Sequence, residues 1–342
     1  MNRMVETGRL TTFLRDPRFL RDPEEGVPVL FVHGNLSDGS AWDEQSRMLP
    51  PAFRGLAPDL RGFGRSGAEP VDATRGVGDY RDDLVALLDA LELDAVHLVG
   101  HSLGGGVVMD LASRHPGRAL TITLVAPVSP YGFGGTKPDG TPCAPDFAGS
   151  GGGTANPELV KLIAEGDVSD AHPLSPRNVV RTLYFPGPDA VRDEDALLAG
   201  ILGTRVGDGH YPGDAVDSPH WPGTAPGTRG VLNAISAKYL DWSGFPDSGC
   251  RAPVLWVRGD MDVIVSDTSL VDLGHLGALG HVPGWPGEEA FPAQPMVAQT
   301  RRVLDRYGSS GERVMAGTGH FPYLQRPDEF AAMLHAHLEG RA

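Results

Sequence analysis

Residues 94–110 read Asp-Ala-Val-His-Leu-Val-Gly-His-Ser-Leu-Gly-Gly-Gly-Val-Val-Met-Asp, which predicts a strand, a sharp turn and a helix in immediate succession. The mostly apolar run at 96–99 is typical of a short buried strand. Apolar residues then recur at helical spacing, and His115-Pro-Gly117 supplies the signals that stop a helix. The pentapeptide Gly100-His-Ser-Leu-Gly104 therefore occupies the turn between strand and helix.

A serine in such a turn has the setting of a nucleophile elbow, in which a strained backbone aims the hydroxyl outward. The flanking residues must carry almost no side chain, and Gly100 and Gly104 meet that need. The helix N-terminus adds backbone N–H groups where an oxyanion would develop. We therefore predict that Ser102 is a nucleophile. The alternative is a chance glycine-rich turn in a chain with 46 glycines, but no second Gly-x-Ser-x-Gly occurs.

The first third of the chain alternates between strand and helix patterns. Strands are predicted at 27–32, from residue 56, at 96–99 and at 119–126, with helices at 41–48, at 80–91 and after Ser102. Residues 5–20 add a weaker signal for an early strand pair. This alternation predicts an α/β fold with a mostly parallel central sheet and helices on both faces.

Residues 127–249 break the pattern, because they are rich in Gly and Pro, and we interpret them as an insertion. Short helices are predicted there at 157–164 and 193–202. The stretch also holds many aromatic residues, among them Tyr131 and Phe133, which would line a mostly apolar pocket if the insertion covered an active site. The alternative is that these aromatics form a small core of the insertion itself.

Regular patterning resumes after the insertion. A strand is predicted at 253–259, an irregular stretch at 270–294, a helix at 296–307, a short strand at 312–316 and a closing helix at 328–338. The loop after the first of these strands contains Asp260 and Asp262. The loop after the second contains Gly317-Thr-Gly-His320.

A serine hydroxyl needs a base and a group that orients the base, and in this kind of sheet they follow in the order Ser, acid, His. Ser102, Asp262 and His320 fit that order, and each is predicted at the carboxyl end of a parallel strand, where open α/β sheets bind ligands. Among the histidines after the acid, His320 alone follows a strand. Asp260 stays open as the alternative acid, although Asp262 lies deeper in the loop that must reach the histidine.

An oxyanion hole needs two donors near the nucleophile. The backbone N–H of Leu103 is one candidate, and the loop after the strand at 27–32 offers a second at Asn35. The neighbouring His33 is interpreted as a residue that orders this loop and not as a base.

Composition narrows the possible partners. The 342 residues include 44 acidic and 29 basic side chains, for a formal charge of −15, which argues against nucleic acid or an anionic membrane as a partner. No apolar run has the length of a transmembrane helix, and the first residues lack the core of a signal peptide, so a cytoplasmic protein with a small-molecule substrate is expected.

The two cysteines, Cys143 and Cys250, lie far apart in sequence and in no metal-ligand pattern. Free thiols are expected for a cytosolic chain, with a disulfide across the insertion as the alternative.

These motifs together resemble the α/β-hydrolase fold family, in its serine-nucleophile branch of esterases, lipases and cofactor-free haloperoxidase-like enzymes. The resemblance is carried by His33-Gly-Asn35, Asp59-Leu-Arg-Gly-Phe-Gly-Arg-Ser66, Gly100-His-Ser-Leu-Gly104, Gly259-Asp-Met-Asp262 and Gly317-Thr-Gly-His320. It implies a Ser102, Asp262, His320 triad with Leu103 and Asn35 as oxyanion donors, and no metal or organic cofactor. It also implies a core of residues 1–127 and 251–342 with a cap at 128–250. The serine at 102 disfavours the branches with an aspartate nucleophile.

The expected function is that of a serine hydrolase that cleaves a carboxylic ester or lactone of a medium-sized, mostly apolar small molecule through an acyl-enzyme. Two alternatives remain open because a fold does not determine a reaction. The same residues can support perhydrolysis, carbon–carbon bond hydrolysis or a lyase reaction, and a ligand receptor with slow turnover could keep them too. The long insertion and the stretch at 270–294 both depart from the family's usual pattern.

Overall fold

The computed structural model describes residues 2–16, 26–187, 190 and 192–341. The strands are β1 (Arg3–Glu6), β2 (Thr11–Arg15), β3 (Val27–Val32), β4 (Phe53–Pro58), β5 (Val96–His101), β6 (Ala119–Val125), β7 (Val206–Gly207), β8 (Tyr211–Pro212), β9 (Ala215–Asp217), β10 (Thr224–Pro226), β11 (Val254–Gly259) and β12 (Ser310–Met315). The helices are α1 (Asp43–Met48), α2 (Gly78–Ala90), α3 (Leu103–Arg114), α4 (Pro157–Ala164), α5 (Pro176–Val179), α6 (Glu194–Leu202), α7 (Val231–Ala234), α8 (Leu273–Ala278), α9 (Met296–Tyr307), α10 (Pro322–Gln325) and α11 (Pro327–Leu338).

Within these described residues, eight strands form one sheet in the order β1-β2-β4-β3-β5-β6-β11-β12. Six neighbouring strands of this order, β4, β3, β5, β6, β11 and β12, run parallel to one another. At the edge, β1 pairs antiparallel with β2, and β2 pairs antiparallel with β4. Helices pack around the sheet, so the predicted α/β fold with a mostly parallel sheet is confirmed. The early strand pair is confirmed as β1 and β2, and residues 17–20 of that prediction lie outside the described part of the chain.

The central strands form because their sequences are apolar over nearly their whole length. All six residues of β5 are buried, and so are the last four of β3. A strand covered by helices on both faces has no polar side to alternate with, which is why these strands are recognisable as continuous apolar runs. The predicted bounds of β3 and α9 match the structure.

Two predictions near the C-terminus differ from the structure. The strand predicted at 312–316 is β12, which begins earlier, at Ser310. β12 is the edge of the sheet and leaves much of its surface exposed, so its sequence lacks the apolar signal of the inner strands. The stretch at 270–294, expected to be irregular, contains α8. That helix has six residues and two glycines, and its N-cap is Asp272, whose carboxylate accepts the His275 N–H at 3.1 Å.

The segment from 128 to 250, called the cap segment below, carries short elements between β6 and β11. The helix predicted at 157–164 is α4 with the same bounds, and the one predicted at 193–202 is α6. Asp193 is the N-cap of α6, and its carboxylate accepts the Ala196 N–H at 3.1 Å. Cys143 and Cys250 are both free, as predicted.

Two buried glutamines hold the start of the cap segment against the core. Gln299 on α9 accepts a hydrogen bond from the Ser129 hydroxyl at 2.7 Å and donates one to Thr136 Oγ1 at 3.1 Å. Gln294, just before α9, donates to the Gly132 carbonyl at 3.0 Å and to Gln299 Oε1 at 2.8 Å. Buried amides with several partners define one arrangement, because any other arrangement leaves polar groups without partners.

Replacing Gln299 by Leu should therefore destabilise the protein. The variant leaves the Ser129 hydroxyl proton without its acceptor and removes the amide that donates to Thr136 Oγ1, so the free energy of unfolding should fall by roughly 2–4 kcal/mol. Urea denaturation followed by tryptophan fluorescence measures this change. Asp305→Leu, at an exposed position of the same helix, is the control and should change stability by less than about 0.5 kcal/mol. Equal stability of the two variants would contradict the role given to Gln299.

Candidate active site

Ser102 lies at the junction of β5 and α3 with strained backbone geometry. Its φ of 53° is in the left-handed region, which residues with a side chain adopt at a cost of roughly 1–3 kcal/mol. Three backbone hydrogen bonds hold it there. Its N–H donates to the Val125 carbonyl at 3.0 Å, and its carbonyl accepts from the Gly105 and Val128 N–H groups at 2.9 and 3.1 Å. The serine is partly exposed, so it has the placement expected of a nucleophile elbow.

The glycines around Ser102 are required by close backbone packing. A Cβ atom on Gly104 would lie 2.3 Å from the Val32 carbonyl oxygen, and one on Gly100 would lie 2.4 Å from the Gly104 carbonyl oxygen. Both distances are far inside van der Waals contact with atoms of the main chain. Any larger residue would therefore push α3 away from β3 and β5.

The loop after β3 lies directly against Ser102. A Cβ atom on Gly34 would be 3.0 Å from the Ser102 Cβ, so the loop that contains Asn35 passes beside the serine. Both nitrogens of the His33 ring bind backbone groups. Nδ1 donates to the Gly34 carbonyl at 2.7 Å, and Nε2 accepts the Leu60 N–H at 2.9 Å. Burial lowers the pKa of His33, so the ring is neutral and orders the loop, in line with its predicted role.

Asp59 fastens the same loop to the turn after β4. Its Oδ1 accepts the Gly39 N–H at 2.9 Å, its Oδ2 accepts the Arg65 N–H at 2.8 Å, and Arg15 binds it with a short ion pair. Burial raises the pKa of Asp59, which Arg15 opposes. The motif that begins at Asp59 therefore has a structural role. Its carboxylate joins the turn after β3 to the turn after β4, at the carboxyl ends of these neighbouring strands.

Asp262 and His320 meet at the carboxyl ends of β11 and β12. His320 Nδ1 donates to Asp262 Oδ2 at 2.8 Å, and both residues are buried. The other carboxylate oxygen of Asp262 accepts the Ile264 and Val265 N–H groups at 2.7 and 3.1 Å. Because Nδ1 carries the proton, Nε2 of His320 is the nitrogen with a free lone pair. This is the tautomer that a general base requires.

Asp260, the alternative acid, has a different partner. Its side chain is exposed, and Oδ1 accepts the Gly317 N–H at 2.6 Å, which holds the loop that precedes His320. Sequence position alone leaves the choice between the two aspartates open. The contacts favour Asp262 as the partner of the histidine and give Asp260 a role in shaping the loop.

His101, which sequence reasoning passed over, links the serine turn to the histidine loop. Its Nε2 donates to the His320 carbonyl at 2.9 Å, and the two rings lie 4.6 Å apart. Burial holds the pKa of His101 well below its usual value, so it is a neutral donor. Its only sequence signal is its place beside Ser102, and nothing local shows that its partner is 219 residues away.

The remaining predicted site residues stay predictions. Leu103 is buried as the first residue of α3, so its N–H lies at the helix N-terminus next to the serine. The Tyr131 ring covers Gly140, where a Cβ atom would lie 2.3 Å from Tyr131 Cδ1. The Phe133 N–H donates to the Ile235 carbonyl at 2.8 Å, and its side chain packs against the core. These contacts of the two aromatics lie within the cap segment and the core, and they do not test substrate binding.

The arrangement can carry out nucleophilic catalysis. It holds a strained serine at a helix N-terminus, a glycine-bounded loop beside it and a histidine oriented by a buried carboxylate. Among the residues that the structure describes, no group of three or more His, Cys, Asp or Glu side chains is placed to hold a metal ion. No helix in the described ranges is long and apolar enough to cross a bilayer.

Comparison with known proteins gives the same architecture. Residues 27–151 match the family model described as alpha/beta hydrolase fold. The chain is 38% identical over 109 residues to a 2-hydroxymuconate semialdehyde hydrolase of Pseudomonas sp. (strain CF600), covering 31% of this chain and 38% of that protein. It is 39% identical over 127 residues to a non-heme chloroperoxidase of Kitasatospora aureofaciens, covering 36% and 46%. The matches thus span less than half the length of these curated relatives.

Solved structures extend the likeness to the whole chain. A bromoperoxidase from Bacillus anthracis superposes with a TM-score of 0.63 at 20% identity, covering 99% of this chain and 100% of that one. An esterase from Exiguobacterium antarcticum gives a TM-score of 0.60 at 16% identity, with coverage of 99% and 100%. Similarity at this level of identity shows the fold.

The close approach of Gly104 to β3 makes its substitution destabilising. Gly104→Ala should lower the free energy of unfolding by about 2–3 kcal/mol or more, because the new methyl group overlaps the Val32 carbonyl. Gly117→Ala, at an exposed position with nothing within 4 Å of its Cβ, is the matched control. Urea denaturation of both variants measures the difference, and equal stability would contradict the packing argument.

The two aspartates should differ sharply in their effect on Ser102. Asp262→Asn disturbs the tautomer of His320, so the rate constant for labelling Ser102 with a fluorophosphonate should fall on the order of 10³–10⁴-fold. Asp260→Asn should change it by less than about tenfold, since the Gly317 N–H keeps an amide oxygen as acceptor. Labelling followed by intact-mass spectrometry measures both rates. If the labelling rate falls more in Asp260→Asn than in Asp262→Asn, the assignment of Asp262 as the acid is wrong.

Proposed function

We propose that this chain, which has the α/β-hydrolase fold, is a serine hydrolase that cleaves a carboxylic ester or lactone through an acyl-enzyme. The observation that carries this proposal is the buried 2.8 Å hydrogen bond between His320 and Asp262, at the same edge of the sheet as the strained Ser102. Ser102, Asp262 and His320 are the proposed catalytic triad.

In the proposed reaction, Ser102 Oγ attacks the carbonyl carbon of the ester while His320 Nε2 takes the hydroxyl proton. Asp262 stays ionised, keeps the ring in place and stabilises the imidazolium. The tetrahedral intermediate collapses, the bond to the alcohol oxygen breaks, and the imidazolium gives its proton to the departing alkoxide. Water, activated by the same nitrogen, then hydrolyses the acyl-serine and regenerates the enzyme.

The proposed oxyanion hole consists of the backbone N–H groups of Leu103 and Asn35. Support comes from the helix that starts at Leu103 and from the approach of Gly34 to Ser102. One such donor contributes roughly 3–4 kcal/mol to stabilising the transition state, because it points at the charge as it forms and needs no reorientation.

The proposed substrate is a medium-sized, mostly apolar small molecule, with Tyr131 and Phe133 among the residues that contact it. The region that would select it combines the cap segment and the irregular stretch at 270–294. Trp221 joins the two, since its indole N–H donates to the Pro283 carbonyl at 2.9 Å and its ring meets Phe291 edge-on at 4.7 Å. These two departures from the family pattern thus pack as one unit.

A chain-length series of 4-nitrophenyl acyl esters tests this function. Wild type should hydrolyse medium-length esters with a higher kcat/KM than the acetate, because apolar area is buried with each added methylene. Ser102→Ala should lose at least about 10³-fold in kcat, since the nucleophile is absent. Ser113→Ala, which alters a serine of the same helix that bonds the Met109 carbonyl, should keep activity within about twofold.

Three outcomes would count against the proposal. Full activity in Ser102→Ala would show that this serine is not the nucleophile. If no ester is hydrolysed while a fluorophosphonate still labels Ser102, the serine is reactive but the ester assignment is wrong. A preference for acetate over longer esters would overturn the apolar, medium-sized substrate.

A further inference from the structure

Tyr184 of the cap segment contacts two loops of the candidate active site at once. It is the last residue of a π-helix, Val180–Tyr184, and its side chain is buried. Its hydroxyl donates to the Leu36 carbonyl at 2.9 Å, and its own carbonyl accepts the His320 N–H at 3.0 Å. One residue outside the sheet therefore spans the distance from the loop after β3 to the loop after β12.

The contact to Leu36 falls on a strained part of the loop. Leu36 has a φ of 49°, in the left-handed region, and it directly follows Asn35, the proposed oxyanion donor. A leucine stays in such a conformation only when its surroundings hold it there. The Tyr184 hydroxyl is one of the groups that do so, since it binds the carbonyl of that residue.

The Tyr184 side chain itself has little freedom. Its ring lies 4.5 Å from the ring of Phe321, the residue after His320, and Phe185 lies 6.0 Å from the same ring. The π-helix is an uncommon element that occurs often at functional sites. In this chain it ends at the residue whose hydroxyl and carbonyl both contact the site.

The cap segment also holds the π-helix from outside. Glu194, the first residue of α6, binds Arg181 with hydrogen bonds of 2.6 and 2.9 Å and forms a short ion pair with Arg177. α6 in turn lies on the loop after β3, where a Cβ atom on Gly200 would be 3.4 Å from the Asp38 nitrogen. The π-helix and α6 therefore contact the same loop and each other.

We propose that the Tyr184 hydroxyl is a positioning group for the oxyanion loop, so that the cap segment helps to build the reaction centre. The hydroxyl holds the Leu36 carbonyl and thereby the backbone that places the Asn35 N–H. Without this hydrogen bond, the loop loses one of the contacts that align it. The inference rests on the proposed serine hydrolase function and adds to it that the cap segment controls the rate of chemistry.

The test compares Tyr184→Phe with Tyr307→Phe. Tyr307 makes the same kind of bond, a hydroxyl donating to the Ala252 carbonyl at 2.8 Å, but it lies at the end of α9 and packs on Phe245. Tyr184→Phe should lower kcat about 10- to 100-fold, the loss expected from a small misplacement of a catalytic group, while KM changes less than about threefold. Tyr307→Phe should leave kcat within about twofold.

The labelling rate of Ser102 with a fluorophosphonate is the second readout. The phosphonate adduct is tetrahedral and places an oxygen in the oxyanion hole, so its rate of formation should fall by the same factor as kcat/KM. A general loss of stability lowers the midpoint of unfolding but does not lower the labelling rate constant and kcat/KM by the same factor. If Tyr184→Phe and Tyr307→Phe have equal kcat and equal labelling rates, the inference is overturned.

If Tyr184→Phe does not fold, Glu194→Gln decides the question with Tyr184 in place. This substitution removes the charge that Arg177 and Arg181 share, and kcat should fall at least about fivefold with KM little changed; a kcat within the twofold margin of the control overturns the proposal. Failure of the underlying function has a separate signature. A wild-type protein that hydrolyses no ester and takes up no phosphonate would overturn both the serine hydrolase proposal and the role given to Tyr184. An active wild type with an equally active Tyr184→Phe would overturn the role of Tyr184 alone.

Discussion

The structure depends on one close contact between main chains, where α3 begins beside the end of β3. The turn at Ser102 can be tight only because Gly104 lets the helix approach the Val32 carbonyl to a distance that no side chain would permit. That approach sets the serine at the edge of the sheet and brings the loop after β3 against it. The cost of the strained serine is met by the packing of α3 and the buried strands around it.

Much of this arrangement could be predicted because short patterns of neighbouring residues indicate the strands and the loops that follow them. The inner strands are buried and mostly apolar, and the proposed catalytic residues come just after them, so the order of the strands places these residues at one edge of the sheet. The preference for Asp262 over Asp260 rests only on position in the loop, because residues two apart in a loop face partners that only the folded chain supplies. The weakly patterned edge strand β12 and the glycine-containing α8 show the same limit for secondary structure.

Contacts made to backbone groups could not be predicted from the sequence. His101 and Tyr184 both bind carbonyl oxygens in distant loops, and a carbonyl oxygen is present at every residue. No residue type at Leu36 or His320 marks them as partners. Such bonds leave no motif, yet they hold the main chain at His320, a proposed catalytic residue, and at Leu36, next to the proposed oxyanion donor Asn35.

The packing of Trp221 on the stretch at 270–294 bears on which parts of the chain can change independently of each other. The cap segment and the stretch at 270–294 meet where the Trp221 ring packs on Phe291, so removing either region would leave one of these rings uncovered. Recombination with a relative would have to move both regions together to yield a well-folded hybrid. The two regions therefore form one packing unit, although the core strand β11 separates them along the chain.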